Sequence, residues 1–270
     1  MTLDDLFPDE DYGFRLRFKQ CPAADYFAPS QSHDLVVGER RRWLASNPSR
    51  CMAVLPEATV LIEELVSVAE SFGHFERLSH QRISPAEQFA KLGECWEPDF
   101  LLLRQAADSN IRLFAGCVCF PSSWSLEEKI GRPIEEIHEP VPGLNLAIGP
   151  QIRRFVSKLR PGNAWLRSNW GLSRSMELNQ HPSRKLPRLD ATVTEDEIWL
   201  RVENQALVLL PASGGILFGI RIANYPFTSI TSDPSFSRRF ARALQTMPEP
   251  VAQYKGIASA RSRLLALLRS

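Results

Sequence analysis

The sequence lacks the features that mark secreted, membrane-bound or nucleic-acid-binding proteins. Its apolar runs are only a few residues long, and its N-terminus, MTLDDLFPDEDYG, is acidic and lacks the basic start and apolar stretch of a signal peptide. Neither sign of charge is in excess, because 32 Lys and Arg residues stand against 31 Asp and Glu residues. We therefore expect a cytoplasmic protein that binds neither a membrane nor nucleic acid.

Cysteine is scarce, and its spacing argues against the common cysteine-based sites. The five cysteines are an odd number without a CxxC pair, which favours reduced thiols over a disulfide framework, a zinc site or an iron–sulfur site. Cys117 and Cys119 alternate in an apolar run, where small core side chains are commoner than thiolate ligands to iron. His74 and His80 are six residues apart and share no helix face, so we expect solvent or core positions for them rather than a metal site.

The composition that is present is that of a globular protein with a sizeable core, since 44% of the residues are hydrophobic and 23% are charged. We predict one α+β domain in three parts. Residues 1–98 form an N-terminal arm and helices, residues 99–230 form a core of four to six antiparallel strands, and residues 231–270 form basic C-terminal helices.

Hydrophobic periodicity places the main elements along the chain. Helical spacing predicts helices over residues 35–44, 55–72, 85–92 and 148–159. Alternation of apolar and polar residues predicts strands over residues 99–104, 111–120, 163–172, 197–202 and 216–223. Residues 203–210 fit a strand or a two-turn helix equally well.

Two local features have more than one reading. The run Arg40-Arg41-Arg42 is typical of a solvated helix face, and the alternative is a docking patch for a partner. Gly219 removes a side chain from a row of strand residues, so either another part of the protein lies against the sheet there or the position is a simple packing notch.

The most distinctive stretch is residues 117–143, CVCFPSSWSLEEKIGRPIEEIHEPVPG. It begins as a strand, breaks at Pro121, and continues through a short amphipathic turn to His138. Pro140 and Pro142 fix their own φ angles and favour extended geometry in the residues before them. We therefore expect His138 to end a helix directly before a stiff, extended segment, with its side chain held in a defined direction.

Several segments occur in an order that resembles the haem-dependent oxidative N-demethylase α-subunit family, which includes dimethylamine monooxygenase-like proteins. The resemblance covers most of the chain from about residue 35 onward. FPSSW…KIGRP…IHEPVPG is its most specific element, and the KIGRPIEEIHEP run is also similar to an element of PAS domains. These segments are DFLLLR, AGCVCFPSSWSLEEKIGRPIEEIHEPVPG, WLRSNW, RVENQALVLLPASGGILFGIR and YKG.

The resemblance implies a PAS-like antiparallel sheet with flanking helices that binds haem b. In this family the iron activates dioxygen to oxidise a small secondary methylamine, such as dimethylamine, to a primary amine and formaldehyde. Electrons come from a separate flavin and iron–sulfur reductase. The chain would accordingly be the haem subunit of a multicomponent monooxygenase whose partners are the amine, dioxygen and reductase subunits.

Site residues follow from the same resemblance. His138 is the candidate axial ligand of the iron, because imidazole is the commonest haem ligand, although a histidine in this PAS element can also serve structure alone. Arg221 and Arg201 are candidates for pairing with the haem propionates, and ordinary surface ion pairs are the alternative for both.

The substrate side of the site is assigned in the same way. Glu203 would hold a cationic amine near the iron, since an ammonium in a dry pocket needs a counter-charge. Trp170 and Asn169 would wall the pocket, and they fit equally well as a core aromatic residue and a strand-end hydrogen-bonding residue.

The chain departs from the family pattern at positions beside the expected pocket. Asn204 and Ala206 stand where we expect arginine and threonine, and Ile222 and Ala223 stand where we expect threonine and tyrosine. Because oxygen activation depends on polar groups around the bound gas, two alternatives stay open. One is a haem-PAS binding or sensing protein that has lost turnover, and the other is a PAS-like scaffold subunit that binds no haem.

Overall fold

The computed structural model describes residues 3–73, 75 and 83–269 of the 270-residue chain. Within these ranges seven strands form one sheet in the order β1-β5-β6-β7-β3-β4-β2, and all neighbours run antiparallel. The strands are β1 (Lys19–Pro22), β2 (Met52–Val54), β3 (Asp99–Gln105), β4 (Ile111–Cys117), β5 (Asn163–Ser173), β6 (Trp199–Leu210) and β7 (Gly215–Pro226).

Twelve α-helices occur in the same described part of the chain, and they lie before, within and after the run of strands. They are α1 (Leu3–Leu6), α2 (Ala23–Phe27), α3 (His33–Ser46), α4 (Pro48–Cys51), α5 (Thr59–Ser71), α6 (Pro85–Cys95), α7 (Ile134–His138), α8 (Leu144–Val156), α9 (Thr228–Thr231), α10 (Pro234–Thr246), α11 (Glu249–Tyr254) and α12 (Arg261–Leu267). An antiparallel sheet with flanking N- and C-terminal helices is the PAS-like α+β fold that we predicted.

Most of the predicted elements are present, and the number of strands is the main difference. The undecided residues 203–210 continue β6 without a break, so the strand interpretation was correct. The predicted total of four to six strands was too low, because the short strands β1 and β2 add to the edges of the sheet. At four and three residues, neither is long enough to show a clear alternation.

The register of the strands divides the side chains between two faces of the sheet. Arg167 pairs with Gln205 and Gln205 with Ile220, and we call the face that these residues share the front face. Leu166 pairs with Ala206 and Ala206 with Gly219, which defines the back face.

The back face carries two hydrophobic cores. One joins the sheet to helices α2, α3, α5 and α6, and the other joins the far end of β5 and β6 to α1 and the C-terminal helices. At Gly219 a Cβ atom would lie only 2.8 Å from Cε1 of Tyr26 and 3.0 Å from Cζ of Phe27. The first interpretation of Gly219 is thus confirmed, since the arm helix α2 lies against the sheet at that residue.

The front face is covered by the segment between β4 and β5. A smaller hydrophobic cluster joins Leu101, Leu113 and Ile220 of the sheet to Leu126 and Ile137 of this segment. The helices α7 and α8 belong to the same cover, so they determine which groups can approach the front face.

The chain does not extend after His138 as we predicted. Glu139 is helical, with φ −53° and ψ −39°, and the Val141 amide donates to the His138 carbonyl at 3.0 Å. The turn that this bond closes overrides the extended preference of the residue before Pro140. The expectation of a stiff, extended segment was therefore wrong, although His138 does end a helix.

The arginine run on α3 is also not a uniform solvated face. Arg40 is 0% exposed, and its guanidinium is paired with the Asp99 carboxylate and donates to the Gly93 carbonyl and to Sγ of Cys117. The Asp99 carboxylate in turn accepts hydrogen bonds from the backbone amides of Cys119 and Phe120 at 2.8 and 2.9 Å. Through this pair α3 is tied to the first residues after β4.

We expect Arg40→Met to lower the free energy of unfolding by about 3–5 kcal/mol, because Asp99 would be left buried without its counter-charge. Arg42→Met is the matched control on the same helix, since Arg42 pairs with Glu39 on the surface and should contribute less than about 1 kcal/mol. Urea unfolding followed by circular dichroism measures both. Equal destabilisation by the two substitutions would contradict a structural role for the buried pair.

Candidate active site on the front face of the sheet

His138 lies at the C-terminal end of α7, half-buried against the front face. Among the residues that the structure describes, none forms a hydrogen bond with its imidazole. Burial, together with the nearby cations Arg167 and Lys129, lowers the pKa of His138 to about 4. The ring is therefore neutral at physiological pH, and a neutral imidazole is the form that binds a metal.

Arg167 stands in the middle of β5 and carries a guanidinium that no acceptor within the described residues satisfies. Burial lowers the pKa of Arg167, while the Glu203 carboxylate opposes that effect. Since a half-buried guanidinium without an acceptor is unfavourable, this group suits an anion supplied by a ligand.

Glu203 lies opposite Asn169 on the neighbouring strand and is 8% exposed. Its Oε2 accepts hydrogen bonds from Nε2 of Gln205 at 2.9 Å and from Nδ2 of Asn169 at 3.4 Å. No donor from the described part of the chain reaches Oε1. The carboxylate is thus fixed through one oxygen, and the other is left for a further donor.

Lys255 brings a second cation to this group from the C-terminal helices. Its Nζ donates to the Trp170 carbonyl at 2.5 Å. The pKa of Lys255 falls to about 8, mainly because the ammonium is buried, and Arg167 contributes to the decrease while Glu203 opposes it. Positive charge therefore exceeds negative charge around Glu203.

Trp170 and Asn169 lie on opposite faces of β5. The Trp170 ring is packed on the back face, 4.9 Å from Phe7 and 5.3 Å from Phe240 between ring centroids. The Asn169 side chain is on the front face and binds Glu203. The predicted catalytic role of these two residues stays a prediction, and their positions favour Asn169 over Trp170.

Arg201 holds the loop after β4 in place. Its Nε donates to Ser122 Oγ at 2.8 Å, and its Nη2 donates to the carbonyls of Phe120 and Leu178 at 2.9 and 2.7 Å. These donors are therefore already used within the chain. The prediction that Arg201 pairs with a haem propionate stays a prediction.

Arg221 is engaged in the same way on the back face. It donates to the carbonyls of Tyr26 and Ala28 and forms an ion pair with Glu97 at 2.5 Å. It therefore fastens the arm to the sheet, and its predicted propionate contact also stays a prediction.

The departures from the family pattern fall on both faces. Asn204 and Ala223 lie on the back face, where Asn204 Oδ1 accepts from Ser168 Oγ at 2.8 Å. A cavity of about 420 Å³ opens on that side between the arm and the strands, lined in part by Asn204 and Arg221. Only the change at Ile222 lies on the front face, paired with Glu203, so it is the one that removes a hydroxyl beside the candidate site.

The front-face groups suit a haem. Nε1 of Trp165 is buried without a hydrogen-bond partner on the same face as Arg167, and its ring packs 5.2 Å from Phe155 of α8. Although no group of three metal-binding side chains occurs among the described residues, a single neutral imidazole is enough for an iron already held by a porphyrin.

Three charged residues near the site, Arg167, Lys129 and Lys255, were not among the site residues that we predicted from the sequence. Strand alternation places Arg167 beside Asn169, and this signal could have identified it. Lys129 and Lys255 reach the site only through tertiary packing, from the loop after β4 and from the end of α11. His74 and His80, the pair considered for a metal site, lie outside the described residues.

No helix in the described ranges is long and apolar enough to cross a membrane.

A family model described as haem-dependent oxidative N-demethylase, alpha subunit-like, matches residues 67–265. The matched range holds His138, Arg167, Glu203 and Lys255. Because the match extends over well more than half of the sequence, the chain belongs to the haem-dependent oxidative N-demethylase, alpha subunit-like family.

Proposed function

We propose that this protein is the haem subunit of a cytoplasmic monooxygenase that demethylates a small secondary alkylamine such as dimethylamine. The observation that carries the proposal is that His138 of α7 and Arg167 of β5 lie near each other at the front face of the sheet. Within the described residues, no group forms a hydrogen bond with the neutral imidazole of His138, and no acceptor satisfies the guanidinium of Arg167.

In this proposal the imidazole of His138 would hold the haem iron and the guanidinium of Arg167 would bind a haem propionate. The low pKa of His138 means that binding of the iron does not compete with a proton at neutral pH. When bound, haem b supplies the activation of dioxygen that oxidises an N-methyl carbon. The proposed net reaction would consume the secondary amine, dioxygen, two electrons and two protons, and would yield the primary amine, formaldehyde and water.

Glu203 is the group proposed to position the amine. Its Oε2 is held by Gln205 and Asn169, so its Oε1 can accept an N–H from the substrate in a fixed direction. Ile222 is the cross-strand neighbour of Glu203 and adds an apolar side chain beside the carboxylate.

The electrons are proposed to come from a separate flavin and iron–sulfur reductase. The family description names an alpha subunit, which supports assembly with other components.

We expect His138→Ala to abolish the Soret band of protein produced with a haem precursor, because the axial ligand is removed. His181→Ala is the control, since His181 binds Glu127 and Ser183 and should leave the band unchanged. Visible spectra at matched protein concentration measure both. A full Soret band in His138→Ala, or none in the wild type, would rule out His138 as the ligand and favour the scaffold alternative.

Arg167→Gln should weaken haem binding roughly 10- to 100-fold, in line with the loss of one charge-assisted hydrogen bond. Arg221→Gln is the informative comparison, because it should lower the thermal stability by freeing the arm and leave haem affinity unchanged. Haem titration of the apoprotein measures affinity, and thermal unfolding measures stability. The reverse pattern would place the propionates at Arg221 instead.

Glu203→Gln should retain the Soret band and lower formaldehyde release from dimethylamine at least about 10-fold, since an amide cannot offset the charge of an amine. Glu139→Gln, an exposed change next to His138, is the control. Both are assayed with a reductase and NADPH. If the wild type binds haem and releases no formaldehyde from a panel of methylamines, the sensing alternative replaces the enzyme.

A further inference from the structure

We propose that the exposed side of α8 is the docking surface for an acidic electron-donating protein. This inference rests on the function proposed above and adds the surface at which the electron donor binds. Charge is unevenly distributed along the sequence. Residues 140–176 contain six Lys or Arg residues and no Asp or Glu, although the whole sequence is nearly neutral.

A single row of this segment faces solvent. Leu146, Pro150, Arg154 and Lys158 follow one another at four-residue spacing, so they lie on one side of α8 and its continuation. All four are exposed, and Leu146 is 91% exposed. We call these four residues the α8 row.

The two cations of the α8 row are not neutralised. Neighbouring Arg153 pairs with Glu135 at 3.0 Å, which shows that an acidic residue is within reach of this helix. In contrast, no acidic side chain of the described residues pairs with Arg154 or Lys158. Their charge is therefore available to a partner.

The opposite side of α8 faces the candidate active site. Phe155 packs on Trp165 of β5, and Nδ2 of Asn145 donates to the Glu135 carbonyl of α7, the helix that ends at His138. A protein bound to the α8 row would thus sit over the cover of the proposed haem site.

The chemistry of the row favours a protein over a lipid surface. Membrane-bound amphipathic helices bury a broad apolar side, but in α8 the apolar residue Ile148 is turned into the protein at 3% exposure. One protruding leucine beside unpaired cations resembles a small protein interface with an apolar anchor and a charged rim. The matching partner presents carboxylates around an apolar spot, as acidic ferredoxin-type electron carriers do.

The test uses the haem-loaded protein, a reduced acidic [2Fe–2S] ferredoxin as the probe, and anaerobic stopped-flow detection of the haem–CO band. Arg154→Glu/Lys158→Glu should slow haem reduction roughly 10-fold or more and flatten its dependence on salt between about 20 and 300 mM. Arg238→Glu/Arg269→Glu changes the net charge equally on exposed C-terminal residues and should have little effect. Leu146→Ser should slow reduction without changing the salt dependence.

The outcomes separate this inference from the proposed function. Absence of a Soret band in the wild type refutes the proposed function and, with it, this inference. A haem that dithionite reduces but ferredoxin does not, or equal rates in both double variants, overturns the docking surface alone. Sedimentation of the wild type, but not of Arg154→Glu/Lys158→Glu, with phosphatidylserine vesicles would assign the row to a membrane and overturn it as well.

Discussion

The candidate site depends on one buried carboxylate among several cations. Glu203 opposes the effect of burial on both Arg167 and Lys255, yet it is hydrogen-bonded to neutral amides. Positive charge therefore exceeds negative charge on the front face, and this would be unfavourable without an anionic ligand. The two propionates of a haem would supply the missing charge. In the proposed function, Glu203 would attract an amine only after that negative charge is supplied.

Strand alternation made much of this arrangement predictable. It assigned β3, β5 and β7, and it placed Arg167 and Asn169 on the same side of β5. It could not show that Lys255 arrives from the end of the chain, because that contact depends on how the C-terminal helices pack. The burial of Arg40 was missed for the same reason, since a run of three arginines contains no signal that one of them meets Asp99.

The departures from the family pattern could be interpreted only once the structure showed on which face of the sheet each one lies. By sequence alone, the changes at Asn204, Ile222 and Ala223 all belong to one pocket. The register shows that Asn204 and Ala223 lie on the back face and that, of the three, Ile222 alone lies beside Glu203. The hydroxyl of Tyr26 donates to the backbone carbonyl of Asn204 at 2.7 Å, so the arm lies against the sheet at the position of that change.

The segment between β4 and β5 carries His138, the cover of the front face and the exposed side of α8. The turn after His138 ends α7, and Gly143, with a φ of +77°, allows α8 to begin immediately after it. The two helices are also joined by Nδ2 of Asn145, which donates to the Glu135 carbonyl at 2.7 Å, so the outer side of α8 and the His138 imidazole belong to one short segment. A partner bound on that outer side would therefore lie over the segment that positions His138, and not over the sheet itself.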